Sequence, residues 1–100
     1  MLVNGVTFPM ERIADICRRY GAARLSLFGS ILRDDFHARS DVDFLVEFDP
    51  ATRIGLIGVA KMEAELSDAI GRRVDLRSAA DLSRYFRDEV VASARLLHAA

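Results

Sequence analysis

A chain of 100 residues has room for one domain with one core, and residues 1–100 are read here as a single domain. With 14 basic and 15 acidic side chains and a net charge of −1, it has no global basic field, so direct nucleic-acid binding is not expected. The single cysteine, Cys17, rules out an internal disulfide. The opening Met1-Leu2-Val3-Asn4-Gly5 lacks the pattern of a secretory signal, and no apolar run is long enough to span a membrane, so a cytoplasmic setting is expected. Hydrophobic residues make up 51% of the chain, enough for a core and for part of a surface that meets another chain.

Pro9 suits the first turn of a helix, and Ile13, Ile16, Cys17 and Tyr20 then recur at helical spacing until Gly21 closes it. Arg24 to Phe28 reads as a short strand, broken by Gly29-Ser30, after which Ile31 to about Asp35 is expected to form a brief helix. Phe36 to Ser40 is a loop. From Asp41 to Phe48 the residues alternate, with Val42, Phe44, Val46 and Phe48 on one side and Asp41, Asp43, Leu45 and Glu47 on the other. Asp49-Pro50 ends that strand. Leu56, Val59, Met62, Leu66 and Ile70 mark a helix that Gly71 terminates. Arg73 to Arg77 is a third strand with Val74 and Leu76 toward the core. Asp81 is expected to cap a last helix carrying Leu82, Tyr85, Phe86, Val90, Leu96 and Leu97. The order is helix, strand, short helix, strand, helix, strand, helix, an α/β layer structure.

One spacing in this order names a chemistry: Gly29-Ser30, ten intervening residues, then Asp41-Val42-Asp43. At ordinary residue frequencies the four-residue pattern arises by chance in about one chain of this length per thousand. Residues two apart on a strand share a face, so Asp41 and Asp43 present both carboxylates to the side opposite the apolar one. Two adjacent carboxylates repel and require a cation, a proton or basic partners. Hard oxygen ligands in a pair suit magnesium, which binds through one or two carboxylates together with substrate phosphates.

Gly29-Ser30 supplies the complementary half. At a strand-to-helix junction, free backbone N–H groups favour an anion, glycine permits close approach, and the serine hydroxyl adds a donor. Arg33, one turn on, is a candidate for the same phosphates or for bracing the loop. Asp75 is the candidate third acid, mid-strand and in phase with the other two. Arg73 and Arg77 flank it on the same face, so a surface ion pair is the competing reading. Cys17 reads as core, and Tyr85 and Phe86 as packing residues. His37 and His98 have no second ligand at metal spacing, although His37 lies in the loop over the site. Gly55 and Gly58 form no phosphate-binding fingerprint, and no Walker-type lysine is present.

On these residues the chain resembles the nucleotidyltransferases of the DNA polymerase beta superfamily, most of all the minimal nucleotidyltransferase (MNT) group. The match runs in order through Leu27-Phe28-Gly29-Ser30, Arg33, Ser40-Asp41-Val42-Asp43-Phe44-Leu45-Val46 and Gly71-Arg72-Arg73-Val74-Asp75-Leu76, covering most of the chain from about Met10 to the last helix. Asp34 departs from the small residue that many members carry there, which bears on the loop shape and not on the acids. The resemblance implies an α/β (α+β) fold, a small mixed β-sheet flanked by helices like the polymerase beta palm. It implies ATP or another nucleoside triphosphate as substrate and Mg2+, two ions, held by Asp41, Asp43 and Asp75. It also implies a HEPN-domain toxin as partner, with AMP transferred to a tyrosine of that partner and the chain acting as its antitoxin.

Two other readings stand beside this one. The chain is a non-catalytic antitoxin that neutralises a HEPN ribonuclease by direct binding, with Val90 to Ala100 either forming an interface or completing the core. Or it is an unrelated α/β domain with a solvated acidic face. With so few residues left to recognise an acceptor, part of that site is expected from a partner or a second copy, as a homodimer or hetero-oligomer.

Overall fold

A computed structural model describes all residues, Met1–Ala100. The chain opens on a feature that the apolar pattern alone does not announce, a two-stranded hairpin. β1 (Leu2–Val3) and β2 (Val6–Thr7) pair antiparallel around Asn4-Gly5, whose φ angles are 50° and 83°. Positive φ at both central residues is the turn that matches strand twist, and Asn-Gly is its preferred sequence. The hairpin is anchored: Val3, Val6 and Phe8 are buried, and the Phe8 ring meets Phe44 edge-on at 6.2 Å between centroids.

α1 (Met10–Tyr20) buries Ile13, Ile16 and Cys17, as their spacing requires. Gly21 ends it in the left-handed region with φ 74°, and its N–H is bonded to the carbonyl of Arg18. The chain then enters β3 (Ala22–Phe28), a single 3-10 turn over Gly29–Leu32, and β4 (Val42–Phe48). β3 and β4 are antiparallel, with Leu25 opposite Val46, Leu27 opposite Phe44 and Phe28 opposite Asp43. α2 (Leu56–Ile70) carries the chain back to β5 (Val74–Arg77), which lies parallel to β4. Glu63 of α2 accepts the Leu76 N–H at 2.8 Å and so occupies one of the outward-facing donors of this edge strand.

The last third departs from the expected long helix. A 3-10 turn (Ala79–Asp81) precedes α3, which runs only over Arg87–Ser93, and the chain ends in β6 (Arg95–Ala99), paired antiparallel with β3. The sheet order is β5-β4-β3-β6. Helical spacing of Leu96 and Leu97 is outweighed here by the free edge of β3, whose N–H and C=O groups need partners; the Ala100 N–H also bonds to Ala23, at 2.8 Å. Leu97 packs on the core, so this stretch does help to complete it. Asp81 caps no long helix. Its carboxylate instead accepts the N–H and the hydroxyl of Ser78, both at 3.0 Å, and those bonds hold its pKa below the usual carboxylate range. Tyr85 and Phe86 fall before α3 rather than within a core-facing helix, and they are exposed at 85% and 50%, not packed.

The result is a mixed four-stranded sheet with α1 and α2 on one face. Leu25, Leu27, Val42, Phe44, Val46, Val74 and Leu76 fill the space beneath the helices with Ile13, Ile16, Met62 and Leu66. The alternate residues, Phe28, Asp43, Leu45, Asp75 and Arg77, lie on the opposite face, along which the 79–93 segment passes. Across the helix pair, the Arg19 guanidinium grips both oxygens of Glu65 at 2.7 and 3.2 Å, and Tyr20 donates to the same carboxylate.

Gly21 has two reasons to lack a side chain, its left-handed backbone and the Thr52 side chain lying where a Cβ would be. Gly21→Ala is therefore expected to lower stability by about 2 kcal/mol, or about 10 °C in Tm. Thermal unfolding checks this, and Thr52→Ala in the same chain should recover only the part due to the collision.

Candidate active site

β4 and β5 run parallel and in phase, so that Val42 faces Val74, Asp43 faces Asp75 and Phe44 faces Leu76. The flanking valines, phenylalanine and leucine are buried, which forces the two aspartates together onto the other face. The Asp43 carboxyl is pushed up to about 6, first by burial and then by the negative charges of Asp75 and Asp41; Arg77 and Arg33 pull it down in part. Asp75 accepts a hydrogen bond from Arg77 Nε at 3.0 Å. Arg77 thus forms the ion pair that the sequence allowed, and its guanidinium is the nearest positive charge to the acidic pair.

Gly29 leaves the end of β3 with φ 77°, and a Cβ there would lie on the Asp43 carboxylate. The glycine thus serves the acid directly: its bare backbone is what lets the turn come up against Asp43. The turn itself is tighter than the helix expected over Ile31 to Asp35. It spans Gly29–Leu32, closes with the Arg33 N–H on the Ser30 carbonyl at 2.9 Å, and sinks Ile31 into the core. One 3-10 turn carries little helix dipole, so any anion here would depend on local N–H groups and the Ser30 hydroxyl.

A cavity of about 250 Å³ opens over the acids. Asp43, Asp75 and Arg77 form its floor with Phe28, and Leu82, Ser83 and Phe86 wall it from the segment that follows the second 3-10 turn. Asp41 precedes β4 by one residue and lies outside this lining, although its charge reaches Asp43. Ser30 and Arg33 also stand outside it. The Arg33 guanidinium pairs with Asp35 at 3.1 Å on the surface, while its charge still acts on Asp43. No three acidic, histidine or cysteine side chains are set at ligand spacing around one point. The donor set nonetheless fits a hard divalent cation: carboxylates side by side, one of them with its ionised form disfavoured, with the bare backbone of Gly29 against one of them.

The remaining candidates fall away from the cavity. Cys17 is buried, and its thiol is pushed up to about 11 by that burial, which makes it inert. His37 Nδ1 accepts the Arg39 N–H at 3.1 Å within its own loop. His98 lies in β6. Three contributors escaped the sequence reading. Phe86 and Leu82 reach the cavity only because α3 starts late. Arg72 donates to the carbonyls of His37 and Ser40 at 3.0 and 2.9 Å and stacks over Phe36, so it holds the loop that delivers Asp41. The signals for Arg72 were its place just before the third strand and within the Gly71-to-Leu76 stretch that carries the family resemblance.

The raised carboxyl makes stability depend on pH in a defined sense. Because folded Asp43 holds its proton up to about 6, against an ordinary 3.8, its ionisation costs stability as pH rises through that window, and the cost is complete above it. Asp43→Asn removes the penalty. In metal-free buffer it is expected to raise stability at pH 8 by about 1 kcal/mol, after discounting for solvent at this half-exposed site, and by about half as much at pH 5. Thermal unfolding of both proteins across that range checks it.

The nucleotidyltransferase domain family matches residues 10–97. A protein from Methanocaldococcus jannaschii, named as a candidate protein adenylyltransferase, is 29% identical over 81 residues, which are 81% of this chain and 85% of that one. The protein adenylyltransferase MntA of Thermococcus cleftensis is 34% identical over 62 residues, 62% of this chain and 61% of its own. Among solved structures, one described as a candidate minimal nucleotidyltransferase superposes with a TM-score of 0.70 at 33% identity, over 85% of each chain. A Shewanella oneidensis complex, described as a tri-AMPylated HEPN toxin with its MNT antitoxin, shares the fold at a TM-score of 0.63 and 22% identity, over 91% of this chain and 70% of that one. With the Gly-Ser turn set against one aspartate and a second aspartate beside it in register, the chain belongs to the nucleotidyltransferase domain family, in its minimal form.

Proposed function

We propose that the chain is a magnesium-dependent nucleotidyltransferase that moves AMP from ATP to a hydroxyl of a protein partner, a tyrosine of a HEPN-domain toxin, and so acts as an antitoxin. The observation that carries the reading is the Asp43–Asp75 register beside the Gly29 turn. The names of the relatives, protein adenylyltransferases and an AMPylated HEPN toxin with its MNT antitoxin, support the choice of nucleotide and partner.

Asp41, Asp43 and Asp75 would hold the divalent ions, and bound magnesium supplies charge neutralisation on the triphosphate and a lowered pKa at the acceptor hydroxyl. The chain's own groups do the rest. The Ser30 hydroxyl and the N–H groups of its turn hold the terminal phosphates. The Arg77 guanidinium, in the cavity floor, offers donors that an incoming phosphate competes for against Asp75. The acceptor oxygen forms its bond to the α-phosphorus as the bond to the bridging oxygen breaks, and pyrophosphate leaves. The hydroxyl proton passes to a carboxylate oxygen of the Asp43–Asp75 pair and on to solvent. Asp41→Asn is expected to reduce transfer of labelled AMP at least a hundredfold while Tm stays within a few degrees. Undiminished transfer by that variant, with the true acceptor present, would overturn the assignment.

A second reading, neutralisation by contact alone, draws on Leu56 and Ile57, which stand 91% and 75% exposed at the start of α2. The two readings part on Asp43→Ala. Under the catalytic one, cells expressing this variant with the toxin lose protection at equal protein level; if protection persists, contact suffices.

A further inference from the structure

We infer that Asn4 is a positioning residue for the turn that carries Gly29 and Ser30, an inference that rests on the nucleotidyltransferase reading above. Asn4 is the one residue other than glycine with positive φ, and the hairpin it turns is pinned to the core by Val3, Val6 and Phe8. A side-chain amide nitrogen has two donors, and Asn4 uses both across a long stretch of chain. Nδ2 donates to the Ile31 carbonyl at 3.2 Å and to the Arg33 carbonyl at 2.9 Å. Both partners are acceptors, so the network itself assigns nitrogen rather than oxygen to that position.

These two carbonyls lie at the end of the 3-10 turn, where no further turn of helix follows to supply N–H partners. The other end of the turn is held by strand pairing, Phe28 opposite Asp43. Ser30 therefore sits between two fixed points, one belonging to the sheet and the other to the hairpin. Asn4 forms the hairpin turn and clamps the far end of the Gly29–Leu32 turn, keeping Ser30 in place relative to Asp43. A residue that only formed the hairpin would be replaceable by glycine or aspartate, both of which tolerate left-handed backbone.

Two variants separate the roles. Asn4→Gly keeps the turn and removes the donors. Asn4→Asp keeps the turn and sets a carboxylate against two carbonyl oxygens. If Asn4 braces the nucleotide turn, Asn4→Gly should raise KM for ATP and weaken AMP-PNP binding about threefold to tenfold with kcat unchanged, and Asn4→Asp should do so more strongly. Amide hydrogen exchange over residues 29–33 should quicken in both variants in the nucleotide-free protein, with Tm lowered by only a few degrees. Wild-type KM and wild-type exchange in both variants would overturn the inference, as would a rise in KM that only follows a general fall in Tm. If the wild-type chain neither binds AMP-PNP nor transfers AMP, the functional reading fails, while the exchange measurement still decides whether Asn4 clamps the turn.

Discussion

Two carboxylates standing side by side on parallel strands are the constraint around which this molecule is arranged. Asp43 and Asp75 are exact neighbours across the β4–β5 ladder, and the residues on either side of each are buried and apolar. Slipping the register by one residue would turn Val74 and Leu76 out and drive Asp75 into the core. The hydrophobic effect thus holds the acids together against their mutual repulsion. The strain shows in the Asp43 carboxyl, whose pKa is raised to about 6, and in Arg77, which reaches back to Asp75.

The asymmetry of the sheet follows from the same division. α1 and α2, with Phe8 and the N-terminal hairpin, pack on one face, the helices tied to each other through Arg19, Tyr20 and Glu65. The other face receives only the 79–93 segment and stays open enough to leave a cavity over the acids. Such a face suits a reaction whose acceptor is large, because a macromolecule can complete the enclosure that the chain itself does not provide. Around it the loops are held by single polar side chains. Asn4 holds one turn and Arg72 the other, each reaching carbonyls that lie far away in sequence. Loop ends have orphan carbonyls, and a side chain with two N–H donors can satisfy a pair of them at once.

Local chemistry made much of this legible before any coordinates. Alternation in Val42 to Phe48 and the glycines at 21 and 71 set the central strand and the ends of two helices, since period and left-handed backbone are properties of short segments. The hairpin at residues 2–7 went unread: Asn4-Gly5 is its local signal, but strands of two residues are too short for periodicity to register. The end of the chain misled. Leu82, Tyr85, Phe86, Val90, Leu96 and Leu97 mimic a helical stripe, yet only Val90 lies in a helix, the short α3, and the unsatisfied edge of β3 takes Leu96 and Leu97 into β6.

The candidate site divides along the same line. From residue types and spacing came Gly29, Ser30, Asp41, Asp43 and Asp75 as a group, and the resemblance they carry pointed to the family that the domain match shows. That much is local, because phase along a strand decides which side chains can share a face. Which acids actually meet was decided by tertiary structure: the parallel register joins Asp43 to Asp75, while Asp41, one residue ahead of the ladder, stays outside the cavity lining. So too with Asn4, Arg72 and Phe86, whose relation to the site spans tens of residues or depends on where α3 begins. No local pattern encodes such contacts, because they exist only once separate segments have been packed against one another.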